Sequence, residues 1–425
     1  MANSVCIIGG GPAGMMAAIA AASAGAKVTL VEKGASPGRK LLATGNGHCN
    51  FTNRDLDLEH FHGDTGFITA AIAQFDGPHT LDFFRALGIP PWPDERGRCF
   101  PASREAAAVL FSLTKEMEHL GVKVVVHSEI VGAIRRRNGG FALQERGKAF
   151  EADAVIVATG GKASPQLGSR VSLGLAGRDP RAQGGGYEIA RQFGHTVTPL
   201  RAALVPIELV GPWFHKLQGV RMDASLTISL GNTTLWARRA RPSRLTDEVL
   251  FASYGISGPL ALRASRMIGE GGCELEMNFL PGREIDAALA LVKARAASLR
   301  NRTAGDFLTG LLPAKVGWMI VGQTGIAQET PSGEITPQQL SHLARNLTHW
   351  PIRVKGLRPF KEAQVTVGGV ATSEIDPATM ESKLVPGLFF CGEVMDVDGD
   401  SGGYNLQWAW TSGFIAGRSA GPRFP

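Results

Sequence analysis

Apolar runs and helix-spaced stretches alternate from the first residues. Val5-Cys6-Ile7-Ile8 is an apolar run that ends in Gly9-Gly10-Gly11-Pro12-Ala13-Gly14. An Ala-rich helical pattern follows from Pro12 to Ala24, Gly25 stops it, and a second apolar run from Lys27 to Val31 ends at Glu32. The pattern predicts strand, tight turn, helix, strand, acid. Helices are expected over 66–88 and 103–120, and Val122–Val126 reads as a strand. Ser128–Ile134 continues in β pattern, and the turn Asn138-Gly139-Gly140 predicts a hairpin to Phe141–Gln144. Ala152–Ala158 is a buried strand running into Thr159-Gly160-Gly161.

The texture changes from about Phe193. Short β-like runs at Val197–Val210, Leu217–Leu230, Val249–Phe251 and Glu274–Phe279 predict a small β-barrel or sandwich. Helical patterns follow at Arg283–Leu299, Asp306–Leu312, Ala314–Ile320 and Pro337–Leu347. The chain then returns to strands that end in glycine, Ala363–Val370 and Pro386–Glu393, and to a closing helix at Gln407–Ala416. The expected organisation is a Rossmann-type domain over 1–192, an inserted β-barrel-like domain over 193–281, a helical subdomain over 282–350, and a return to the first domain over 351–425.

Composition narrows the class. Of 425 residues, 44% are hydrophobic and 19% charged, which suits a globular protein with a large core. The five cysteines are odd in number and form no CxxC, which argues against a disulfide framework or a zinc site and for a reducing compartment. No basic region precedes the first apolar run, and no run reaches the length of a membrane span, so a cytoplasmic protein is expected, with no membrane partner and no metal. The net charge of +6 fits ordinary solubility or a polyanionic partner such as RNA or a phosphate-bearing cofactor. Trp236–Arg244, with four arginines beside a tryptophan, is either a solvated loop or a nucleic-acid contact.

The N-terminal motif carries the chemistry. Gly9 permits the turn, Gly11 lets a pyrophosphate approach the backbone, and Gly14 lets helix and strand pack closely. The helix N-terminus presents the N–H groups that follow Pro12, from Ala13 on, and a positive dipole end to phosphates. Glu32, followed by Lys33, is placed to accept hydrogen bonds from an adenosine ribose. In the loop after the second strand, Arg39 and Lys40 could neutralise the pyrophosphate. Cys49, Asn50 and Asn53 could line a flat ring. Thr159-Gly160-Gly161 offers a second backbone contact. The N-terminus of the closing helix could face the electron-rich edge of a reduced ring.

Several stretches together resemble the BaiN-like, or YhiN-like (aminoacetone-oxidase-like), family of bacterial flavoproteins, of the two-dinucleotide-fold type. They are Gly38–Leu42, Cys49–Asn53, Gly255–Pro259, Val365–Val370, and Gly392 through Trp410 with its Gly-Gly-Tyr-Asn-Leu-Gln-Trp-Ala run. The resemblance implies FAD, a Rossmann-type domain made from both chain ends, and an inserted β-barrel plus helical region. It implies that Glu32 holds the ribose and that Ile130 lets backbone touch the adenine. It puts Gly392 and Glu393 by the ribityl chain and Asn405, Leu406 and Gln407 by the isoalloxazine. This chain has Gly45-Asn46-Gly47-His48-Cys49-Asn50, Gln183-Gly184-Gly185-Gly186 and Phe251-Ala252-Ser253 where the family often has Gly-Gly-Gly-Arg-Cys-Asn, Thr-Gly-Asp-Gly and Phe-Thr-His.

The expected function is an FAD-dependent oxidoreductase. It would take hydride from NAD(P)H, a transient co-substrate, and reduce an activated C=C in a small enone or in a uridine of ribosomal RNA. A non-catalytic flavin-dependent sensor and an amine oxidase-like flavoenzyme are the alternatives. Cys49 and His48 are the candidate catalytic residues.

Overall fold

The computed structural model describes residues 3–137, 139–145, 148–163, 185–230, 243–268 and 273–422. The chain divides into two compact units, Met1–Ala202 with Gln364–Pro425, and Ala203–Ala363.

In the first unit, β1 (Ser4–Ile8) leads through α1 (Pro12–Ser23) to β2 (Lys27–Val31), and α2 (Ala106–His119) leads to β3 (Lys123–Val125). β4 (Ala154–Val157) pairs with the other side of β1, and β5 (Leu388–Phe390) brings the C-terminal segment into the same sheet. All four pairings are parallel, in the order β5-β4-β1-β2-β3, with Ile7 opposite Leu30 on one side and Ile156 on the other. β1 and β4 are apolar runs buried almost throughout, as a parallel strand covered on both faces requires. The chain leaves β1 in one direction to β2 and returns on the other side as β4. That reversal opens a crevice at the carboxyl ends of the two strands.

The closing helix α3 (Tyr404–Ala420) lies directly on α1. A Cβ at Gly413 would sit 2.5 Å from the Ala13 carbonyl oxygen, and one at Gly417 would collide with the Ala17 carbonyl. The two helices therefore meet backbone to backbone, and α1 is Ala-rich because nothing larger fits between them. α3 starts three residues before the expected Gln407, which brings Tyr404, Asn405 and Leu406 into its first turn.

Two expectations for this unit change. The helix expected over 66–88 is two helices, Thr65–Ile72 and Gly77–Ala86, because the Asp76 carboxylate accepts from the His79 N–H and caps a new helix ahead of Pro78. The hairpin of Ile130–Arg135 and Phe141–Glu145 gains a third strand, Lys148–Ala152.

The second unit is built on a seven-stranded antiparallel sheet. In spatial order its strands are Trp350–Ile352, Cys273–Asn278, Arg221–Leu230, Ser243–Ala252, Gly255–Ser257, Ile207–Leu209 and Val354–Leu357. Its two edge strands are separated in the chain by Arg353 alone, so the sheet has to curl. The chain re-enters the first unit at 364 and not at 351, because these edge strands pair inside the second unit. The first boundary likewise falls after 202 and not 192. The expected barrel and helical parts share one core, in which Leu226, Phe251 and Met277 of the sheet pack with Val292, Ile320 and Leu343 of the helices. Asp306–Leu312 forms turns and not a helix; the Gly310 backbone, at φ +85°, breaks it. Residues 231–242 of the basic loop lie outside the described residues, and Arg244 pairs with Glu284 at 2.6 Å. No helix among the described residues is long and apolar enough to cross a membrane.

Gly417→Ala is expected to destabilise the fold by about 2 kcal/mol or more through overpacking of α3 against α1. Gly356→Ala, where a Cβ meets open space, should change stability by under about 0.5 kcal/mol. Equal urea midpoints for the two variants would refute the backbone-to-backbone contact.

Candidate functional site

The crevice between β1 and β4 is lined by the motif residues. Gly9 has φ +107°, and its N–H donates to the Val31 carbonyl at 2.8 Å. A Cβ at Gly14 would collide with the Gly9 carbonyl, so only glycine lets the turn feed straight into α1. Gly11 caps α1 without any side-chain hydrogen bond, and a Cβ there would meet nothing within 4 Å. The first N–H groups of a helix have no partner within it. Together these leave an open, positively polarised cradle for an anion at Ala13 and Gly14.

Glu32 stands at the end of β2 as expected, and both of its carboxylate oxygens are engaged. Oε2 accepts from the Gly10 N–H at 2.8 Å and Oε1 from the Gly34 N–H at 2.7 Å. A carboxylate has lone pairs left after two such bonds and can still receive ribose hydroxyls. The Ser128 N–H donates to the Glu32 carbonyl at 3.1 Å, two residues before the strand that opens at Ile130. Arg39 makes no hydrogen bond or ion pair with any described residue. The exposed Lys33 makes none either. Lys40 lies 3.8 Å from Glu393 Oε2.

The glycines after β4 meet the same acid. A Cβ at Gly161 would come 2.6 Å from Glu393 Oε1, and that oxygen accepts from the Thr366 N–H at 2.7 Å. Thr366 Oγ1 in turn accepts from the Ala163 N–H at 2.9 Å. Gly392 lies against Ala13, and its N–H donates to Ser412 of α3 at 2.9 Å. The structure thus gathers Gly9 through Gly14, Thr159, Gly160, Gly161, Gly392 and Glu393 around one crevice, with Thr366, from the Val365–Val370 stretch, and Ser412 as side chains that were not singled out in sequence.

The second cluster lies at the N-terminus of α3. Asn405 is spent on the loop before the helix: Oδ1 accepts from the Gly399 N–H at 2.9 Å, and Nδ2 donates to the Gly399 carbonyl at 2.6 Å. Gln407 is fully buried; its Oε1 accepts from Thr52 Oγ1 at 2.5 Å, and its Nε2 donates to the Phe75 carbonyl at 3.2 Å and to Thr411 at 3.0 Å. These two side chains, expected beside a flat ring, hold protein to protein. What they leave at the helix end is backbone N–H groups. Trp410 Nε1 donates to the Phe51 carbonyl at 2.9 Å and fixes the Cys49–Asn53 segment against the same helix.

The two catalytic candidates part company. Cys49 is fully buried, with its thiol pushed up to about 12 by burial, so it stays protonated near neutral pH and cannot serve as a thiolate or base. His48 is exposed, and its Nδ1 donates to the Arg104 carbonyl at 2.6 Å, which leaves Nε2 free. His195, just after the helix Gly185–Gln192, ties Glu374 at 3.0 Å to Ser382 at 2.7 Å.

Buried polar atoms without a protein partner can be satisfied by water or by a ligand. Seven occur among the described residues; Asn50 Oδ1, Ser128 Oγ and Thr159 Oγ1 belong to the segments just described, and the Tyr187 hydroxyl belongs to the helix Gly185–Gln192, where a Cβ at Gly186 would collide with Thr159 Oγ1. Such atoms are costly unless something satisfies them. Burial and the nearby Glu393 and Asp396 charges push the Tyr187 hydroxyl up, so it remains a hydrogen-bond donor. Sequence offered no signal for Ser128 or Tyr187.

Sequence reasoning also missed an acid–imidazole group beside α3. Asp400 accepts from His60 Nδ1 and His62 Nε2, each at 2.9 Å, and the His60 ring packs on Tyr404 at 4.7 Å. Burial pushes the Asp400 carboxyl up, but the hydrogen bonds from His62 and His60 outweigh it and hold the group below the ordinary carboxylate range. Among the described residues no group of three or more His, Cys, Asp or Glu side chains could hold a metal ion.

Comparison with known proteins gives the following matches. Residues 3–419 match the profile described as HI0933-like protein Rossmann domain. The chain is 37% identical over 99% of its length to the 3-dehydro-bile acid delta(4,6)-reductase of Clostridium scindens, covering 100% of that protein. It is 32% identical to the ribosomal RNA dihydrouridine synthase of Haemophilus influenzae, over 97% of each chain. It is 33% identical to the protein of the same name from Escherichia coli, over 96% of this chain and 95% of the other.

A carboxyl depressed on folding contributes stability that is complete above its unfolded value, about 4, and lost as pH falls through its lower folded value. The stability difference between the wild type and Asp400→Asn should therefore be large at about pH 5 and shrink below about pH 4. A difference in urea midpoints that stays unchanged to about pH 2.5 would show that Asp400 is not held ionised by the two histidines.

Proposed function

The chain belongs to the HI0933-like family of Rossmann-type FAD oxidoreductases, and on that premise we propose that it reduces an activated C=C bond at the expense of a reduced nicotinamide. The observation that carries the cofactor assignment is the open cradle at Gly11 and the start of α1, with Arg39 unpaired nearby and Glu32 at the end of the next strand. The residues fit FAD along its length. The N–H groups of Ala13 and Gly14 and the charges of Arg39 and Lys40 would hold the pyrophosphate, and Lys33 would add to the positive field. Glu32 would hold the ribose, with the Ile130 backbone beside the adenine. Thr159, Gly160, Gly161, Gly392 and Glu393 would follow the ribityl chain. Asn50 and the backbone of Asn405, Leu406 and Gln407 would meet the ring.

Bound FAD would supply the redox chemistry, hydride transfer between a reduced nicotinamide and the acceptor. The protein's part is to orient, to exclude water and to manage the proton that completes the reduction. His48, with Nε2 free of described partners, is the proposed proton-handling side chain, and the buried Cys49 next to it in the chain stays protonated. The names of the relatives support the acceptor class. A delta(4,6)-reductase of a 3-dehydro steroid and a dihydrouridine synthase both saturate a C=C conjugated to a carbonyl. Such a bond takes hydride at its β-carbon and a proton at its α-carbon. An acceptor in the cytoplasm suits four buried free cysteines.

Anaerobic mixing of the purified protein with NADPH, then with NADH, tests the donor: fast bleaching of the flavin absorbance with either is expected. No bleaching in a flavin-loaded protein would overturn the nicotinamide route and favour an oxidase or a sensor. Glu32→Ala is expected to weaken FAD binding by about tenfold or more, from the loss of charged hydrogen bonds. Retention of FAD through gel filtration at wild-type levels would remove Glu32 from the site.

A further inference from the structure

Two short strands bring an acid and two imidazoles together at the foot of α3. Phe61–Gly63 pairs antiparallel with Val397–Gly399, and the chain then runs through Asp400 to Gly403, which caps α3 at φ +106°. The Asp400 N–H donates to the His60 carbonyl at 2.9 Å, and its carbonyl accepts from Asn405 Nδ2 at 3.2 Å. Its two carboxylate oxygens take one N–H each from His60 and His62. The His60 ring also packs on Tyr404, the first residue of α3. The group therefore stands within one side chain of the N–H groups that open this helix, the end proposed to meet the flavin ring.

Hydrogen-bond accounting shows what the imidazoles can still do. His60 donates through Nδ1 and His62 through Nε2, and the other nitrogen of each has no partner among the described residues. An imidazolium donates from both nitrogens, so either ring can take a proton without giving up its bond to Asp400. The side chains are 38% and 24% exposed, which lets water supply that proton. His195 is the contrast: it is wholly buried, and both of its nitrogens are already engaged, with Glu374 and Ser382.

The surroundings are acidic. Glu59 precedes His60, and Asp398 lies opposite His62 in the strand pairing. Asp64 caps the helix Thr65–Ile72 that packs on the first strand, and the turn that carries Glu393 packs on the second. Tyr404 is pushed up to about 12 by burial and by the charges of Asp57, Asp400 and Asp55, so it stays neutral. A proton on His60 or His62 is thus the positive charge that this end of α3 can gain.

We propose that His60 and His62, held on Asp400, bind a proton when the flavin is reduced and so couple its reduction potential to pH. One hydride brings two electrons and one proton to the ring and leaves it with one more negative charge. With both imidazoles neutral, that charge faces the ionised Asp400; with one imidazole protonated, the group carries no net charge. Repulsion between like charges in a half-buried site makes the first arrangement the costlier, so reduction draws a proton from water onto an imidazole. Linkage makes the effect reciprocal, and acid favours reduction beyond the ring's own proton. When the hydride passes to the acceptor, the imidazole returns its proton to water. This rests on FAD with its ring at α3, and not on the nicotinamide donor.

The test is the midpoint potential of the FAD-loaded protein, from equilibrium with reference dyes between about pH 5 and 8, where histidines titrate. A two-electron couple shifts by about 30 mV per pH unit for each proton taken up. The wild type should take up two protons at the acid end and one at the alkaline end, so its slope should fall from about 60 to about 30 mV per pH unit. The double variant His60→Gln/His62→Gln, which keeps a donor at each position, should take up one throughout. Asp400→Asn should raise the midpoint at about pH 8 by about 30 mV, a tenfold gain in the reduction equilibrium. The spectrum of the bound flavin checks that the ring is still seated. If the double variant does not hold FAD, the single variants decide, and each should move the bend to lower pH. A wild-type slope of one proton at every pH would overturn the proposal. So would a bend that survives in the variants, because the ring itself would then carry the second proton. A chain that takes up no FAD would overturn the cofactor reading as well. FAD that the dyes reduce but NAD(P)H does not bleach would sink the nicotinamide donor alone and leave the slopes to decide the proton coupling.

Discussion

The direct contact of two helices at their backbones sets the geometry of the first unit. α1 carries the anion cradle at its N-terminus, and α3 carries the second cluster at its own. Gly413 and Gly417 let α3 lie on Ala13 and Ala17 with no side chain between. The same closeness recurs at the turn, where Gly14 abuts Gly9. Packed interiors do not yield by fractions of an ångström without cost, so these contacts fix where the cradle and the α3 terminus stand within the unit.

Polar ties then fix the loop between them. Thr52, Gln407, Thr411 and the Phe75 carbonyl form one buried network, and Trp410 holds the Phe51 carbonyl. Each member satisfies another, so removing any one strands a buried partner at about 1–3 kcal/mol. This makes the Cys49–Asn53 segment rigid. It also explains why Asn50 Oδ1 can remain unpartnered: its surroundings are held by groups other than itself. Stability held elsewhere is the usual condition for leaving a polar group free for a ligand.

Charge is divided along the crevice in a way that suits a dinucleotide. The positive end of α1 stands between two carboxylates, Glu32, which accepts from the Gly10 N–H, and Glu393, which lies by Gly161, and Arg39 lies beside Gly34. Lys40 is close enough to Glu393 to be held, yet 3.8 Å is a loose pair that a phosphate could compete for. Beside the sheet of Thr52–Asn53, Arg98–Pro101 and Pro91–Pro93, Arg104 stacks on the Trp92 indole at 3.9 Å from the ring centroid and makes no ion pair with a described residue.

The sequence by itself determined the strand–turn–helix–strand–acid unit, because each step there is local. An apolar run buries as a strand, glycines permit the turn, and a carboxylate two residues from the Gly34 N–H finds it without help from the rest of the chain. It also determined that the chain returns, since strands ending in glycine reappear after 360. Only the tertiary structure decided which polar side chains remain free. Asn405 and Gln407 have the chemistry of ligand contacts but are spent on residues 4 to 355 positions away, whereas Ser128 and Tyr187, unremarkable in sequence, are left without partners. The His60–His62–Asp400 group and the Trp92–Arg104 face were equally illegible, because their members are brought together by strand pairing or by packing across long or irregular loops. Local propensity fixes an element; which of its side chains is satisfied depends on every neighbour that folding brings to it.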